Sequence, residues 1–422
     1  MAQHITNLKD YNVFVKSLSF KNFPFNELYR LEDKGFTKPS QYTTLWKFII
    51  YSAICSMMAD NETLDPAVSQ PLKKVFNLDF EKSFSNSLSK LTDQSMSLSI
   101  IGSGASVSNK NIHMPNDTSW TERIQIMETL IGQFIDNPTY YIVFDELDED
   151  YKDVMNIDRS SKYFELLIGL FKASFDVRSR FRESRRIIPI VFLRDDIYEI
   201  MRDNDKNKWT DIALSLNWSE SALEKLLTFR IARAIDPDKE LKFTEAIDAI
   251  FEVDSIKYGG GRKRRRHVFK HLLANTLMRP RDLISYMREC ARISIDKDQE
   301  TITSDTVRVA DEQYAIRFRQ EFFDEIHSAV AYIDEIFDIF AQIRKPILSI
   351  SEFGDAYQGI KKDKKDYFDF NDICKILFSY SVIGNVTSGG FQVFRYRYPN
   401  ALFNFSEKIA LHRGLIKAFQ IQ

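Results

Sequence analysis

Cysteine is scarce in this sequence, with three among 422 residues. Cys55, Cys290 and Cys374 lie far apart, so they show neither the spacing of a metal site nor the even number of a disulfide framework. This usage is typical of a reducing cytoplasm, which is the predicted location. The six histidines form no tight cluster, which argues against a zinc hydrolase, and no Gly-x-Ser-x-Gly nucleophile elbow occurs.

Long apolar runs are also lacking. The longest, residues 45–58, is interrupted by Lys47 and is too short to span a bilayer. No basic segment followed by an apolar run occurs at the start, so no signal peptide and no membrane association are predicted. Because the net charge is only -2, any binding of nucleic acid would need a local basic patch.

The composition, with 44% hydrophobic residues and 13% aromatic residues, is typical of a globular protein of two or three domains. Two apolar, β-prone runs, residues 140–144 and 187–193, each stop abruptly at charged residues, and a helix is predicted over residues 161–184 between them. Strand, helix and strand in this order predict a βαβ unit of a parallel sheet. An earlier strand is expected near Ile5, and a long helix over residues 304–343.

An acidic pair, Asp145 and Glu146, follows the first of these apolar runs directly. Ligands of parallel sheets bind beyond the carboxyl ends of the strands, so this pair is a candidate catalytic site. Four apolar residues followed by Asp-Glu match the Walker B pattern of ATPases. In that pattern Asp145 would hold Mg²⁺ through water, and Glu146 would polarise the water that attacks the γ-phosphate. The alternative is a strand that ends in a solvated acidic turn.

A cation, Arg194, follows the second run. An arginine at the end of a neighbouring strand can donate two charge-assisted hydrogen bonds to a γ-phosphate. The alternative is a structural ion pair with Asp145, Asp195 or Asp196.

A helix junction in the later, mainly helical region carries Arg279, Pro280 and Arg281. Proline suits the first turn of a helix, so Pro280 is expected to begin one. The two arginines would then face a nucleotide from a helical lid. The alternative is an ordinary helix start with two surface arginines.

A basic run follows three glycines at residues 259–261. Its members, expected to contact nucleic-acid phosphates, are Arg262, Lys263, Arg264, Arg265 and Arg266. The alternative is a solvated loop. Near the C-terminus, a helix over residues 371–381 precedes an alternating segment, 391–398, in which Arg395 and Arg397 would share one strand face. Helix followed by hairpin is the order of a winged helix.

These motifs resemble those of the AAA+ and STAND classes of P-loop ATPases, and in particular KAP-like bacterial proteins. The resemblance is carried by Asp-Glu-Leu-Asp at 145–148, Arg-Asp-Asp at 194–196 and Arg-Pro-Arg-Asp-Leu at 279–283. It implies that Asp145 and Glu146 are the Walker B pair and that Arg194 is sensor 1. It also implies that Arg279 or Arg281 is the lid arginine, with Pro280 beside the adenosine. Met278 departs from the pattern, since such lids often have glycine there.

The Walker A loop of that family, Gly-x-x-x-x-Gly-Lys-Ser/Thr, is missing. Without its backbone N–H groups and its lysine, the β- and γ-phosphates have no cradle. We therefore expect that the loop belongs upstream of Met1 and that this chain binds ATP weakly or not at all.

The resulting prediction is an α/β protein, with an incomplete P-loop NTPase sheet over residues 1–205, a helical lid over 206–340 and a winged-helix domain over 341–422. Its predicted function is that of an ATP- and Mg²⁺-dependent, STAND-like switch that forms a homo-oligomer, with antiviral defence implied by the resemblance alone. The alternative is a nucleic-acid-binding winged-helix protein with a vestigial ATPase domain.

Overall fold

Two compact units make up the chain, Met1–Ala213 and Leu214–Gln422, each with its own buried core. The computed structural model describes residues 1–8, 10, 12–21, 25–30, 40–76, 96–100, 110–114, 119–151, 157–182, 186–258, 264–327, 329–361 and 367–421. The division at Ala213 lies close to the boundary predicted after residue 205. The boundary predicted after residue 340 stays a prediction.

The first unit is a mixed α/β structure. Its described strands are β1 (Val13–Ser19), β2 (Met96–Ile100), β3 (Lys110–Met114), β4 (Thr139–Asp145) and β5 (Ile187–Val191). Its described helices are α1 (Ala2–Thr6), α2 (Phe25–Arg30), α3 (Ser40–Asp60), α4 (Pro66–Val75), α5 (Trp120–Phe134), α6 (Ile157–Arg180), α7 (Asp195–Ile200) and α8 (Lys206–Thr210). The strand expected near Ile5 is wrong, because residues 2–6 are helical and the strand begins at Val13.

Three strands form a parallel sheet in the order β1–β4–β5, as the βαβ pattern predicted. The central strand β4 is buried at Tyr140, Ile142, Val143 and Phe144. Burial on both faces explains why its sequence is continuously apolar rather than alternating.

Helix α3 is buried on nearly every side and packs closely against α6. The indole N–H of Trp46 donates to the carbonyl of Leu166 at 2.8 Å. Gly169 permits the close approach, because a Cβ there would lie 2.7 Å from the Cβ of Tyr42. The sheet and these helices share one hydrophobic core.

Strand β5 is an edge of this sheet among the described residues. Tyr140 N–H donates to the carbonyl of Arg186 at 2.6 Å, and Phe192 N–H donates to the carbonyl of Phe144 at 2.9 Å. Successive residues of β5 turn their N–H and C=O groups alternately towards and away from β4. Arg186 and Phe192 turn theirs towards β4, so the backbone of Pro189 faces away from it. Since proline has no N–H, the outer edge of β5 lacks one donor at its middle residue.

The second unit is mainly helical. Its described helices are α9 (Glu220–Ile235), α10 (Phe243–Asp248), α11 (Val268–Ala274), α12 (Pro280–Asp296), α13 (Ser304–Ile326), α14 (Ile333–Ile343), α15 (Ile350–Lys361) and α16 (Phe370–Ser379). Its described strands are β6 (Ser255–Tyr258), β7 (Arg264–His267), β8 (Ile347–Leu348), β9 (Ile383–Val386), β10 (Gln392–Val393) and β11 (Lys408–Leu411). Strands β6 and β7 form a hairpin, and the other four form an antiparallel sheet in the order β10–β9–β11–β8.

Two expectations for this unit are wrong. The helix predicted over residues 304–343 is two helices, since α13 ends at Ile326 and α14 begins at Ile333. The strand predicted over residues 391–398 is limited to Gln392–Val393, because the chain then turns, with Arg397 N–H donating to the carbonyl of Phe394 at 3.1 Å. Arg395 and Arg397 therefore do not share a strand face.

No described helix is long and apolar enough to cross a membrane. The three cysteines are buried and unpaired.

His412 is fully enclosed in the core of the second unit. Its Nδ1 accepts the N–H of Gly414 at 3.1 Å, and the rings of Phe318, Phe394 and Tyr396 surround it, with centroids 5.2–5.5 Å away. Burial, together with the positive charge of Arg397, lowers the pKa of His412 to about 3.

Acidification should destabilise the second unit through His412. Its unfolded pKa of 6.5 exceeds its folded pKa of about 3, so between these values the unfolded state binds the additional proton. The free energy of unfolding therefore falls as the pH drops below 6.5, by up to about 1.4 kcal/mol per pH unit, or about 2 kcal/mol at pH 5. Urea unfolding at pH 7 and pH 5 should show a smaller difference for His412→Phe than for wild type. Equal differences in the two proteins would contradict the assignment.

Candidate functional site

The carboxyl ends of the three parallel strands lie at one edge of the sheet. Ser19, the last residue of β1, is in register with Asp145, the last residue of β4. Phe144 is in register with Val191, the last residue of β5, and Arg194 follows three residues later. The structure thus confirms the expectation that Asp145 and Arg194 follow neighbouring parallel strands at the same edge. Their roles stay a prediction.

Asp145 sits half-buried at the end of the central strand. Burial raises the pKa of its carboxyl group, and the negative charges of Glu146 and Asp148 raise it further. Its Oδ1 accepts the backbone N–H of Glu146 at 2.9 Å, which opposes the rise. The carboxylate is therefore fixed in place, in a position where a cation would relieve its unfavourable environment.

Glu146 has a strained backbone. Its φ of 59° and ψ of 33° lie in the left-handed region, which residues other than glycine, asparagine and aspartate rarely adopt. Such a conformation costs of order 1–3 kcal/mol and is concentrated at functional sites. Strain at this position therefore favours a functional interpretation of the acidic pair over a solvated turn.

Ser19 is a site residue that sequence reasoning missed. Its Oγ donates a hydrogen bond to Oε2 of Glu146. Nothing local in the sequence marked Ser19, since Lys16 and Ser17 before it are polar too and Glu146 lies 127 residues away. Ser19 orients the glutamate from the strand on the opposite side of β4 from Arg194.

Arg194 forms the structural ion pair that the sequence left open. Its Nε and Nη2 donate to the two carboxylate oxygens of Asp196 at 3.1 and 2.7 Å, and its Nη1 lies 3.7 Å from Oδ2 of Asp148. The pair with Asp196 is bidentate and partly exposed, so another anion would have to compete with this carboxylate for the guanidinium group.

Lys206 holds the helix that follows Arg194. Its Nζ donates to the carbonyls of Tyr198, Glu199 and Met201 at 2.7, 3.1 and 3.0 Å. All three ammonium donors are thus used on the C-terminal carbonyls of α7, which is a favourable position for a cation.

Among the described residues, no group of three or more histidine, cysteine, aspartate or glutamate side chains could hold a metal ion. A cation at Asp145 would therefore need water and phosphate oxygens as its other ligands, which is the usual arrangement for Mg²⁺ beside a nucleotide.

The predicted lid residues lie in the second unit. Pro280 is the first residue of α12, as expected. Nη1 of Arg279 and Nη2 of Arg281 both donate to Oε1 of Glu325, at 2.8 and 2.6 Å. Met278 has a φ of 56°, so it adopts the left-handed conformation that suits the glycine of similar lids.

The predicted basic loop is partly a strand. Arg264, Arg265 and Arg266 belong to β7, which pairs with β6, so these three are held in a strand and not in a loop. Arg262 and Lys263 lie outside the described residues.

Comparison with known proteins gives one family match within the second unit. Residues 221–322 match the family described as "FunZ-associated C-terminal helical domain". A longer protein of Escherichia coli (strain K12), described as "Putative transposon gamma-delta 80.3 kDa protein", is 25% identical over 215 residues. The match covers 50% of this chain and 28% of that protein, so the chain spans well under half the length of the relative.

Solved structures give weaker similarities. They include the ORC2 protein of Aeropyrum pernix, with 12% identity and a TM-score of 0.24, covering 72% of this chain and 70% of that one. CDC6P of Pyrobaculum aerophilum has 10% identity and a TM-score of 0.23, with 72% of each chain covered. Scores this low do not establish a shared fold.

Proposed function

We propose that the chain acts as a nucleotide-dependent switch of the P-loop ATPase type. The observation that carries the proposal is the convergence of Asp145, Glu146, Ser19 and Arg194 at the carboxyl edge of a parallel sheet. In this arrangement Asp145 would hold Mg²⁺ through water, and Glu146, oriented by Ser19, would polarise the attacking water. Arg194 leaves Asp196 to bind the γ-phosphate.

Arg279, Pro280 and Arg281 are proposed to be the lid residues, and this role rests on the motif resemblance. Residues 341–422 are proposed to be a winged-helix domain, which the order α14, β8, α15, α16, β9 and β10 supports. The proposal of a STAND-type switch that assembles as a homo-oligomer in the cytoplasm rests on the motif resemblance, as does antiviral defence. The similarity to a transposon protein favours a connection with mobile DNA.

Asp145→Asn should remove the Mg²⁺-dependent part of nucleotide binding. The test uses a form extended upstream to contain a phosphate-binding loop, since the proposal assigns the β- and γ-phosphates to that loop. Mg²⁺·ATP should raise the unfolding midpoint of the unsubstituted form more than ATP with a chelator does, because a bound ligand stabilises the native state. In the variant, the unfolding midpoint with Mg²⁺·ATP should equal the midpoint with ATP and a chelator. An undiminished Mg²⁺ effect in the variant would contradict the role of Asp145.

A second candidate function is nucleic-acid binding with a vestigial ATPase site. It is favoured by the cations of β7. A chain that binds duplex DNA but gains no nucleotide binding from an upstream phosphate loop would support this alternative.

A further inference from the structure

Two cations face each other across the β6–β7 hairpin. Lys257 is directly opposite Arg265, and both side chains are exposed. Asp254 and Val268 lie opposite each other at the base of the hairpin. Val268 N–H donates to the carbonyl of Asp254 at 2.8 Å, so these two residues are a hydrogen-bonded pair. Alternation along an antiparallel ladder then makes Lys257 and Arg265 a non-hydrogen-bonded pair, in which the Cα atoms are only about 4.5 Å apart.

Like charges at such a position destabilise a hairpin. Neither Lys257 nor Arg265 makes an ion pair or hydrogen bond with another described residue. The described part of the hairpin, 255–258 and 264–267, contains no acid at all. A single glutamate at either position would turn the repulsion into attraction, so stability does not account for this pair.

The hairpin is nevertheless held firmly at its base. Ile256, on the opposite face of β6 from Lys257, is 4% exposed and belongs to the core of the second unit. Because neighbouring residues of a strand point to opposite sides, anchoring Ile256 fixes Lys257 towards solvent. The cation pair is thus presented on a fixed strand and not on a free loop.

We propose that this face of the hairpin binds the phosphate backbone of nucleic acid, with Lys257 and Arg265 in contact with neighbouring phosphates. Each phosphate contact releases condensed counterions, and two adjacent cations lose their mutual repulsion on binding. The exposed face carries Ser255 and His267 beside the cation pair and no apolar side chain among its described residues, which favours nucleic acid over a lipid surface. The inference rests on the nucleic-acid candidate function and is independent of ATP hydrolysis.

The test compares four proteins for binding of a labelled duplex DNA of arbitrary sequence at several salt concentrations: wild type, Lys257→Ser/Arg265→Ser, Lys257→Glu, and a control, Lys225→Ser/Lys239→Ser. The control removes the same charge from two other exposed positions of the second unit. The magnitude of the slope of log K against log salt should decrease by about 2 in Lys257→Ser/Arg265→Ser and by about 1 or more in Lys257→Glu, since each lost contact contributes about 0.9. It should stay near the wild-type value in the control.

Thermal unfolding separates binding from a structural role. Both hairpin variants should unfold at the wild-type midpoint or slightly above it, because they remove the like-charge contact. Loss of DNA binding together with a lowered midpoint would overturn the inference. DNA binding that survives these variants and is lost in Arg262→Ser/Lys263→Ser would also overturn it, while leaving the candidate function intact. An absence of DNA binding, or binding only to phosphatidylserine vesicles, would defeat both.

Discussion

Glu146→Gln should lower ATP turnover by at least about 100-fold in a form of the chain extended upstream to contain a phosphate-binding loop. A positioned general base contributes roughly 10²–10⁴-fold, and glutamine cannot polarise the attacking water as a carboxylate does. Glutamine still offers an oxygen to the hydroxyl of Ser19, so folding and the apparent affinity for ATP should change little. Steady-state turnover, with kcat and KM measured separately, checks this expectation.

Ser19→Ala is the matched variant, because it keeps the carboxylate and removes only the group that orients it. We expect a smaller loss of kcat, of roughly tenfold, since misplacing a catalytic group costs less than removing it. The 422-residue chain itself should show no substantial turnover. Robust hydrolysis by that chain, abolished in Glu146→Gln, would show that its phosphate site lies elsewhere.

Gly414→Ala should destabilise the second unit by about 3 kcal/mol, at the upper end of what overpacking usually costs. A Cβ at Gly414 would lie 2.3 Å from the carbonyl oxygen of Asn275 and 2.7 Å from the ring of Phe318. One obstacle is backbone and the other is a buried ring, so neither can move aside without disturbing the core. Urea unfolding of the variant should show a correspondingly lower midpoint.

Gly359→Ala is a control that makes the same substitution and is expected to change the free energy of unfolding in the opposite direction. A Cβ at Gly359 meets nothing within 4 Å, and the residue lies within α15. Alanine should therefore stabilise the protein by roughly 0.5–1 kcal/mol through helix propensity. If the two variants had equal free energies of unfolding, Gly414 could not lie as close to the carbonyl oxygen of Asn275 as the structure places it.

The parallel strands could be predicted because strands buried on both faces have continuously apolar sequences. Residues 140–144 are apolar without interruption, and the charged residues Asp145 and Arg194 mark where the chain leaves the sheet. The same pattern places both at one edge, since parallel strands share a direction. The hydrogen-bond and ion-pair partners of the side chains cannot be predicted from this pattern. The pair of Arg194 with Asp196, for example, depends on the conformation of the turn after β5.

Other features had no local signal. Helices α13 and α14 are separated without proline or glycine, because burial of Val330 and the hydrogen bonds of Tyr332 with Tyr357 and Phe368 favour a bend over a continuous helix. The alternating segment after Val393 turns because Phe394 packs against His412, a residue far along the chain. In both cases tertiary packing overrides a pattern that is correct for an isolated segment.

The outward-facing Pro189 makes the edge of β5 a poor template for chance association. A strand arriving from another molecule at micromolar concentration would leave one of its carbonyls without a donor, at a cost of about 1 kcal/mol or more. A strand joined to the same polypeptide acts at an effective concentration nearer millimolar, which outweighs a loss of that size. The edge of β5 therefore disfavours pairing with strands of other molecules, and with it the aggregation that such pairing starts. It still allows pairing with a strand of the same polypeptide.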